Sequence, residues 1–203
     1  MNTVNYNDAE QLFGAVGTSL KEHTAEIADI VNVYGAKNLL ESEAITQTVN
    51  DVTFTVNNDG SIKVNGTASQ IIWYSLLHPA SQKLGLEGSY IASGCPSDGS
   101  ESTYYIQIVD RGTNDTTDVE MYKDTGNGVT VPFISTHYYR IQILVRNGAT
   151  VNNLTFKPML RLTSIEDDTY VPYAKSNKEL TDDISSLAAR IKAIEDTNHL
   201  TWG

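Results

Sequence analysis

Hydrophobic positions along this chain change their period twice. Phe13, Val16, Leu20, Ile27, Ile30 and Tyr34 recur at alternating spacings of three and four, with the polar His23 filling the remaining slot of the same stripe. That spacing keeps them on one seam of an α-helix, which the capping residues Asn7 or Asp8 start and Gly35 ends. Leu180, Ile184, Leu187, Ile191 and Ile194 repeat the pattern near the C-terminus. Both are heptad seams of the coiled-coil kind, and a seam of this length needs a partner surface. The alternative is that each helix lays its stripe on its own domain.

Between the two seams the period falls to two. Val52, Phe54 and Val56 alternate with Thr53, Thr55 and Asn57, the turn residues Asn58-Asp59-Gly60 follow, and Ile62 and Val64 resume the alternation. This predicts a β-hairpin. Further strands are expected at Gln70–Leu77, Ser89–Ala92, Thr103–Val109, Asp118–Lys123, Gly128–Pro132, His137–Arg146 and Asn153–Leu162, separated by clusters of Gly, Ser, Asn and Asp. About nine strands without intervening helices predict antiparallel sheets, most simply two packed face to face. The expected fold is therefore mainly β, a jelly-roll-like sandwich flanked by N- and C-terminal helices. Its organisation would be a helix over 1–35, a sandwich over 36–163, a linker over 164–177 and a coiled-coil helix over 178–203.

Charge sharpens this division. The formal net charge is -11. Residues 1–35 carry five acids and one base and residues 164–203 eight and four, against twelve and nine in the strand-rich block. With no Lys/Arg cluster, nucleic-acid phosphates are not an expected partner. The first thirty residues lack the basic start and apolar run of a signal peptide, and no apolar stretch approaches the ~20 residues that span a bilayer. The expectation is a soluble chain made without a cleavable leader and without membrane insertion.

Candidate chemistry is sparse. Cys95 is the single cysteine, so an intrachain disulfide is impossible, and as a nucleophile it would need His78 or His137 as its base. Asp110, Asn114, Asp115 and Asp118 share a loop rich in oxygen ligands, but their spacing does not match an EF-hand. No catalytic residue, metal site or cofactor is expected. Sugar recognition needs a flat aromatic face and planar polar groups beside it. In the two clearest strands Ile106, Ile108, Ile141, Ile143 and Val145 can face inward together, which turns Tyr105, Gln107, Tyr138 and Arg140 outward as the candidate glycan patch. Eleven tyrosines are also ordinary in a strand-rich chain, where the residue is favoured for packing alone.

Three stretches carry a resemblance. Tyr34-Gly35-Ala36-Lys37-Asn38-Leu39-Leu40, the hairpin from Val52 to Thr67, and Phe156-Lys157-Pro158-Met159-Leu160-Arg161-Leu162 with Asp168-Thr169-Tyr170-Val171-Pro172-Tyr173 resemble the carbohydrate-binding-module-like β-sandwich of tail and baseplate proteins in phages and prophages of Gram-positive bacteria. The resemblance implies a virion structural role, often at the host-facing end, with trimers common. The expected partners are two further copies of the chain, other tail or baseplate proteins, and host cell-surface polysaccharide. The expected location is the virion, after synthesis in the bacterial cytoplasm. Residue types in the C-terminal seam leave dimer and trimer open. A stand-alone carbohydrate-binding module is the alternative, and a polysaccharide-processing enzyme a third for which no positive feature is found.

Overall fold

The computed structural model describes residues 37–175 and 177–199. The expected N-terminal helix, with Val16, Leu20, Ile27 and Ile30 on its seam, lies outside the described residues. Two compact units divide the rest: Lys37–Ala174, and the segment from Lys175 that contains one helix.

Eleven strands are found among the described residues: β1 Gln47–Val49, β2 Val52–Val56, β3 Ile62–Thr67, β4 Ile72–Ser75, β5 Gly88–Ser93, β6 Tyr104–Asp110, β7 Glu120–Asp124, β8 Val129–Phe133, β9 Tyr139–Val145, β10 Thr150–Phe156 and β11 Met159–Leu162. All pairings are antiparallel, in three sheets ordered β1-β2-β3-β10, β11-β5-β8 and β4-β9-β6-β7. The predicted hairpin is β2–β3. Its turn closes with Asn57 N–H donating to the Ser61 carbonyl at 2.8 Å, and only Gly60 of the expected turn residues takes a positive φ, +76°. The short β1, which the polar Gln47-Thr48-Val49 did not announce, adds an edge to this hairpin.

Three sheets appear where two were expected because the predicted strand 153–162 is interrupted. Pro158 has no N–H to offer a ladder, so β10 stops at Phe156 on β3 and β11 restarts at Met159 on β5. Lys157 N–H bridges the gap by donating to the Gly94 carbonyl at 2.8 Å. The chains approach so closely that a Cβ on Gly94 would lie 1.9 Å from the Lys157 carbonyl oxygen. Only glycine fits that crossing, where φ is +115°.

Together these two sheets pack against β4-β9-β6-β7 to form a β-sandwich around one core. Aromatic side chains bridge the layers. Phe54 of β2 stacks on Tyr74 of β4 with centroids 4.0 Å apart, Tyr104 of β6 meets Phe156 of β10 edge-on at 5.8 Å, and Phe133 of β8 tilts against Tyr139 of β9 at 4.5 Å. Ile106, Ile108, Ile141, Ile143 and Val145 face inward as their alternation predicts, each no more than 2 % exposed.

The resemblance stretches meet in space around Asn38, which is buried. Its carboxamide nitrogen donates to the carbonyls of Pro158 (3.2 Å) and Val171 (3.1 Å), and its oxygen accepts the N–H groups of Leu40 (3.0 Å) and Leu160 (3.1 Å). The segment expected as a linker is accordingly held on the sandwich as far as Ala174. Lys37 pairs with Asp167 at 2.8 Å, and the Tyr170 hydroxyl donates to the Asp59 carbonyl at 2.7 Å.

The helix α1 runs Asn177–His199. All five described seam residues are exposed, from 46 % at Leu180 to 68 % at Ile184. Ion pairs Lys175–Asp183 and Lys192–Asp196 lie on its surface, where each contributes under about 1 kcal/mol.

Cys95 is buried beside Asp124, whose carboxylate accepts the N–H groups of Cys95 (2.8 Å), Gly126 (2.9 Å) and Gly128 (2.8 Å). Burial first, and the Asp124 charge second, push the thiol up to about 12. A protonated thiol is a poor nucleophile, so alkylation by iodoacetamide at pH 8 is expected to run at least about tenfold slower in the native protein than after unfolding. Equal rates, read by intact mass, would contradict this burial. Replacing Asn38 by alanine removes the partners of four backbone groups, three in buried hydrogen bonds and one in a partly buried one, and a loss of at least about 3 kcal/mol is expected, measured as a lower urea midpoint at unchanged m-value.

Candidate functional site

Alternation on the β4-β9-β6-β7 sheet sends every second side chain away from the core. Register aligns these into rows across the strands: Trp73, Leu144 and Tyr105; then Ser75, Gln142, Gln107 and Lys123; then Arg140, Val109 and Met121. All of these but Ser75 and Val109 line a groove of about 570 Å³. Trp73 and Met121 stand half exposed, 54 % and 52 %, while Gln107 and Gln142 are only 6 % exposed on the floor.

The two glutamines give the floor its binding capacity. Gln107 Nε2 donates to Met121 Sδ at 3.3 Å, a weak acceptor that leaves the carbonyl oxygen uncommitted. Gln142, its cross-strand partner, makes no side-chain hydrogen bond among the described residues, and neither of its amide atoms is sealed from water. Buried polar groups are normally answered by protein or water. Adjacent carboxamides with spare donors and acceptors, next to an exposed indole face, suit a ligand bearing hydroxyls and C–H faces.

Cations border this floor. Arg146 donates from Nε to the Glu101 carbonyl at 2.8 Å and from Nη2 to the Tyr105 hydroxyl at 3.2 Å. Lys123 pairs with Glu101 at 2.6 Å. Lys123 and Arg146 also lie 5.8 and 5.7 Å from the Tyr105 ring centroid, within cation–π range. Arg140 and Arg111 both donate to Asp118, and the Arg111 bonds, with the Arg140 charge behind them, hold that carboxyl below its usual range. The clamp therefore contributes fully above the ordinary Asp value near 4 and is lost as pH falls through the lower folded value. An acid ionised so readily is not a proton donor near neutral pH.

Of the candidate patch, Tyr105, Gln107 and Arg140 come together in the groove. Tyr138 does not line it: it precedes β9, and its ring lies under Lys83 Nζ, 5.0 Å from the centroid. Tyr105 does not serve as an open platform either. It points outward as alternation requires, yet it is 2 % exposed because cationic side chains from β7 and beyond β9 fold over it. Trp73 is the stacking surface instead. Its outward turn is implicit in buried Ile72 and Tyr74 on either side, but nothing in the strand's own sequence says that Tyr105 and Gln107 lie across from it.

The acidic loop is occupied by its own neighbours. Asp115 accepts from Arg111 Nε at 3.0 Å and from Ser81 Oγ at 2.7 Å, and Asp110 accepts from Gly112 N–H at 2.7 Å and lies 2.9 Å from His137 Nδ1. Among the described residues no group of three or more His, Cys, Asp or Glu side chains could hold a metal ion.

No family model matches the sequence, and no curated protein matches it. Among solved structures, a chain in the crystal structure of accessory secretory protein 1, 2 and 3 from Streptococcus pneumoniae is similar over 62 % of this chain and 95 % of that one, at 14 % identity and a TM-score of 0.41. Likeness of that degree assigns no function.

Proposed function

We propose that this chain is an oligomeric structural protein of a phage or prophage tail or baseplate, whose sandwich recognises a host-surface glycan through the β4-β9-β6-β7 groove. The observation that carries the binding half is the half-exposed Trp73 beside Gln107 and Gln142, whose hydrogen-bonding capacity the protein leaves largely unspent. The resemblance, which covers roughly residues 34–175, favours the virion setting. A jelly roll is the topology favoured within the sandwich, because the chain changes layer at β3–β4, β4–β5, β5–β6, β7–β8, β8–β9 and β9–β10.

The oligomer rests on α1. Its five exposed aliphatic residues follow a 3.5-residue repeat, which matches the seam of a second and third copy of the same helix. Ile184 and Ile191 occupy a positions, with Leu180, Leu187 and Ile194 at d. Three weak groove sites on one coiled-coil stalk act with an avidity that a single site lacks. This is what separates the reading from a stand-alone carbohydrate-binding module, which shares the groove but not the assembly.

Light scattering at several concentrations is expected to give a constant mass near three times the 22.3 kDa chain. The Ile184→Asp/Ile191→Asp variant is expected to fall to monomer with the sandwich intact, and to lose about 10²-fold or more in apparent affinity for immobilised cell-wall polysaccharide. An unchanged mass in that variant overturns the coiled coil, and a monomeric parent protein favours the stand-alone module. Trp73→Ala is expected to weaken polysaccharide binding at least about tenfold with no change in urea midpoint. Undiminished binding by that variant removes the groove from the proposal.

A further inference from the structure

A second groove, of about 650 Å³, lies on the β11-β5-β8 side of the sandwich, bordered by the strap that follows β11. Its chemistry differs from that of the first. Arg161, on β11, pairs across the ladder with Ile91 of β5 and is only 8 % exposed. Its Nη1 is anchored to the Ile165 carbonyl of the strap, while its Nε–H is sealed from water with no acceptor. Its Nη2 makes no hydrogen bond among the described residues and is not sealed from water.

Lys157 lines the same groove from the β10–β11 junction. Its ammonium makes no hydrogen bond or ion pair among the described residues, and its charge is felt only through space, at the Asp59 carboxyl. Lys37, Lys123, Arg111 and Arg140 each pair with a carboxylate, whereas Lys157, like Lys63 and Lys83, makes no ion pair among the described residues. Here Asp168 lines the groove without an ion pair to either cation. Ser93 and Thr155 contribute hydroxyls, and Tyr170 stands at the rim with its hydroxyl tied to Asp59.

We infer that this groove is a binding site for an anionic sugar or polyol unit, with the carboxylate or phosphodiester held between Arg161 and Lys157. A buried guanidinium with an unanswered donor is costly to maintain, and it is preorganised for an oxyanion because its rotamer is already fixed by the Ile165 carbonyl. The ammonium supplies the second positive charge. Asp168, Ser93 and Thr155 can accept from or donate to neighbouring hydroxyls, so that a hydroxylated unit is favoured over a bare ion. The site is separate from the groove containing Trp73, on the opposite layer of the sandwich, and does not depend on that groove's role.

The test is a titration of the full-length, ¹⁵N-labelled protein with glucuronic acid and with glycerol 3-phosphate, against glucose and glycerol as neutral counterparts. The side-chain Nε–H resonance of Arg161 is the reporter. Saturable displacement of that resonance by at least one anion, with dissociation constants in the range of about 1–10 mM for a single unit, is the expected result. A response to glucuronic acid alone points to uronate polysaccharide, and a response to glycerol 3-phosphate alone points to a phosphodiester polymer. Lys157→Gln, an exposed position whose loss leaves the core untouched, is expected to weaken the response about tenfold, whereas Trp73→Ala leaves it unchanged. No saturable shift with either anion, an equal response to the neutral compounds, or full affinity in Lys157→Gln overturns the inference. Loss of polysaccharide binding in Trp73→Ala with the Arg161 response intact would distinguish the two grooves.

Discussion

The carboxamide of Asn38 is the constraint on which the closure of the sandwich depends. It is 1 % exposed and makes four hydrogen bonds, two to carbonyls of segments more than a hundred residues distant in sequence and two from backbone N–H groups. No ladder could do this work, because Pro158 interrupts the strand where β10 gives way to β11. Aspartate would lack the donors and leucine would lack both kinds of group, so a neutral amide is required. By holding the incoming segment, β11 and the strap together, Asn38 also sets the border of the groove that contains Arg161 and Lys157.

The two outer faces of the sandwich express the same rule with different results. Alternation sends side chains outward from a central strand, but burial on that outer face depends on what the neighbouring strands place above it. On β6 all seven residues are buried, core-facing and outward-facing alike. Tyr105 sits beneath two cations and Gln107 beneath a methionine, so the first groove is lined by polar groups that remain partly unsatisfied. On the opposite layer it is the strap, not a strand, that covers Arg161. Both grooves therefore concentrate unsatisfied hydrogen-bonding capacity where a folded protein would ordinarily eliminate it.

The helical unit is governed by a different balance. A helix of 23 residues with a regular aliphatic stripe gains little from its surface ion pairs, and burial of that stripe is the available source of stabilisation. Five side chains of this size offer about 1.5–3 kcal/mol each on full burial, far more than the ion pairs can supply. The sandwich and the helical unit thus present surfaces of different origin, one set by register across strands and the other by helical periodicity.

That difference also marks what could be read from the residues alone. Period-two alternation was sufficient for the β2–β3 hairpin and for the inward set Ile106, Ile108, Ile141, Ile143 and Val145, because which side of a strand a residue faces is a local property. The outward facing of Tyr105, Gln107 and Arg140 was legible for the same reason. Tyr138 was not excluded by alternation; it precedes β9, where its N–H donates to the Gly112 carbonyl and its ring lies under Lys83. The split of the last long strand was latent in Pro158, but its consequence, a third sheet, depended on the glycine crossing at Gly94. Cross-strand register and the cover that Lys123 and Arg146 place over Tyr105 involve residues far apart in sequence, and the groove lined by Lys157 and Arg161 is completed by Ile91 and Ser93 of the distant strand β5. The sequence by itself determined element type, facing and heptad spacing, since these follow from bonds and sterics within a few residues. Only the tertiary structure decided which polar groups stayed unanswered, because burial and hydrogen-bond partnership are properties of the packed whole.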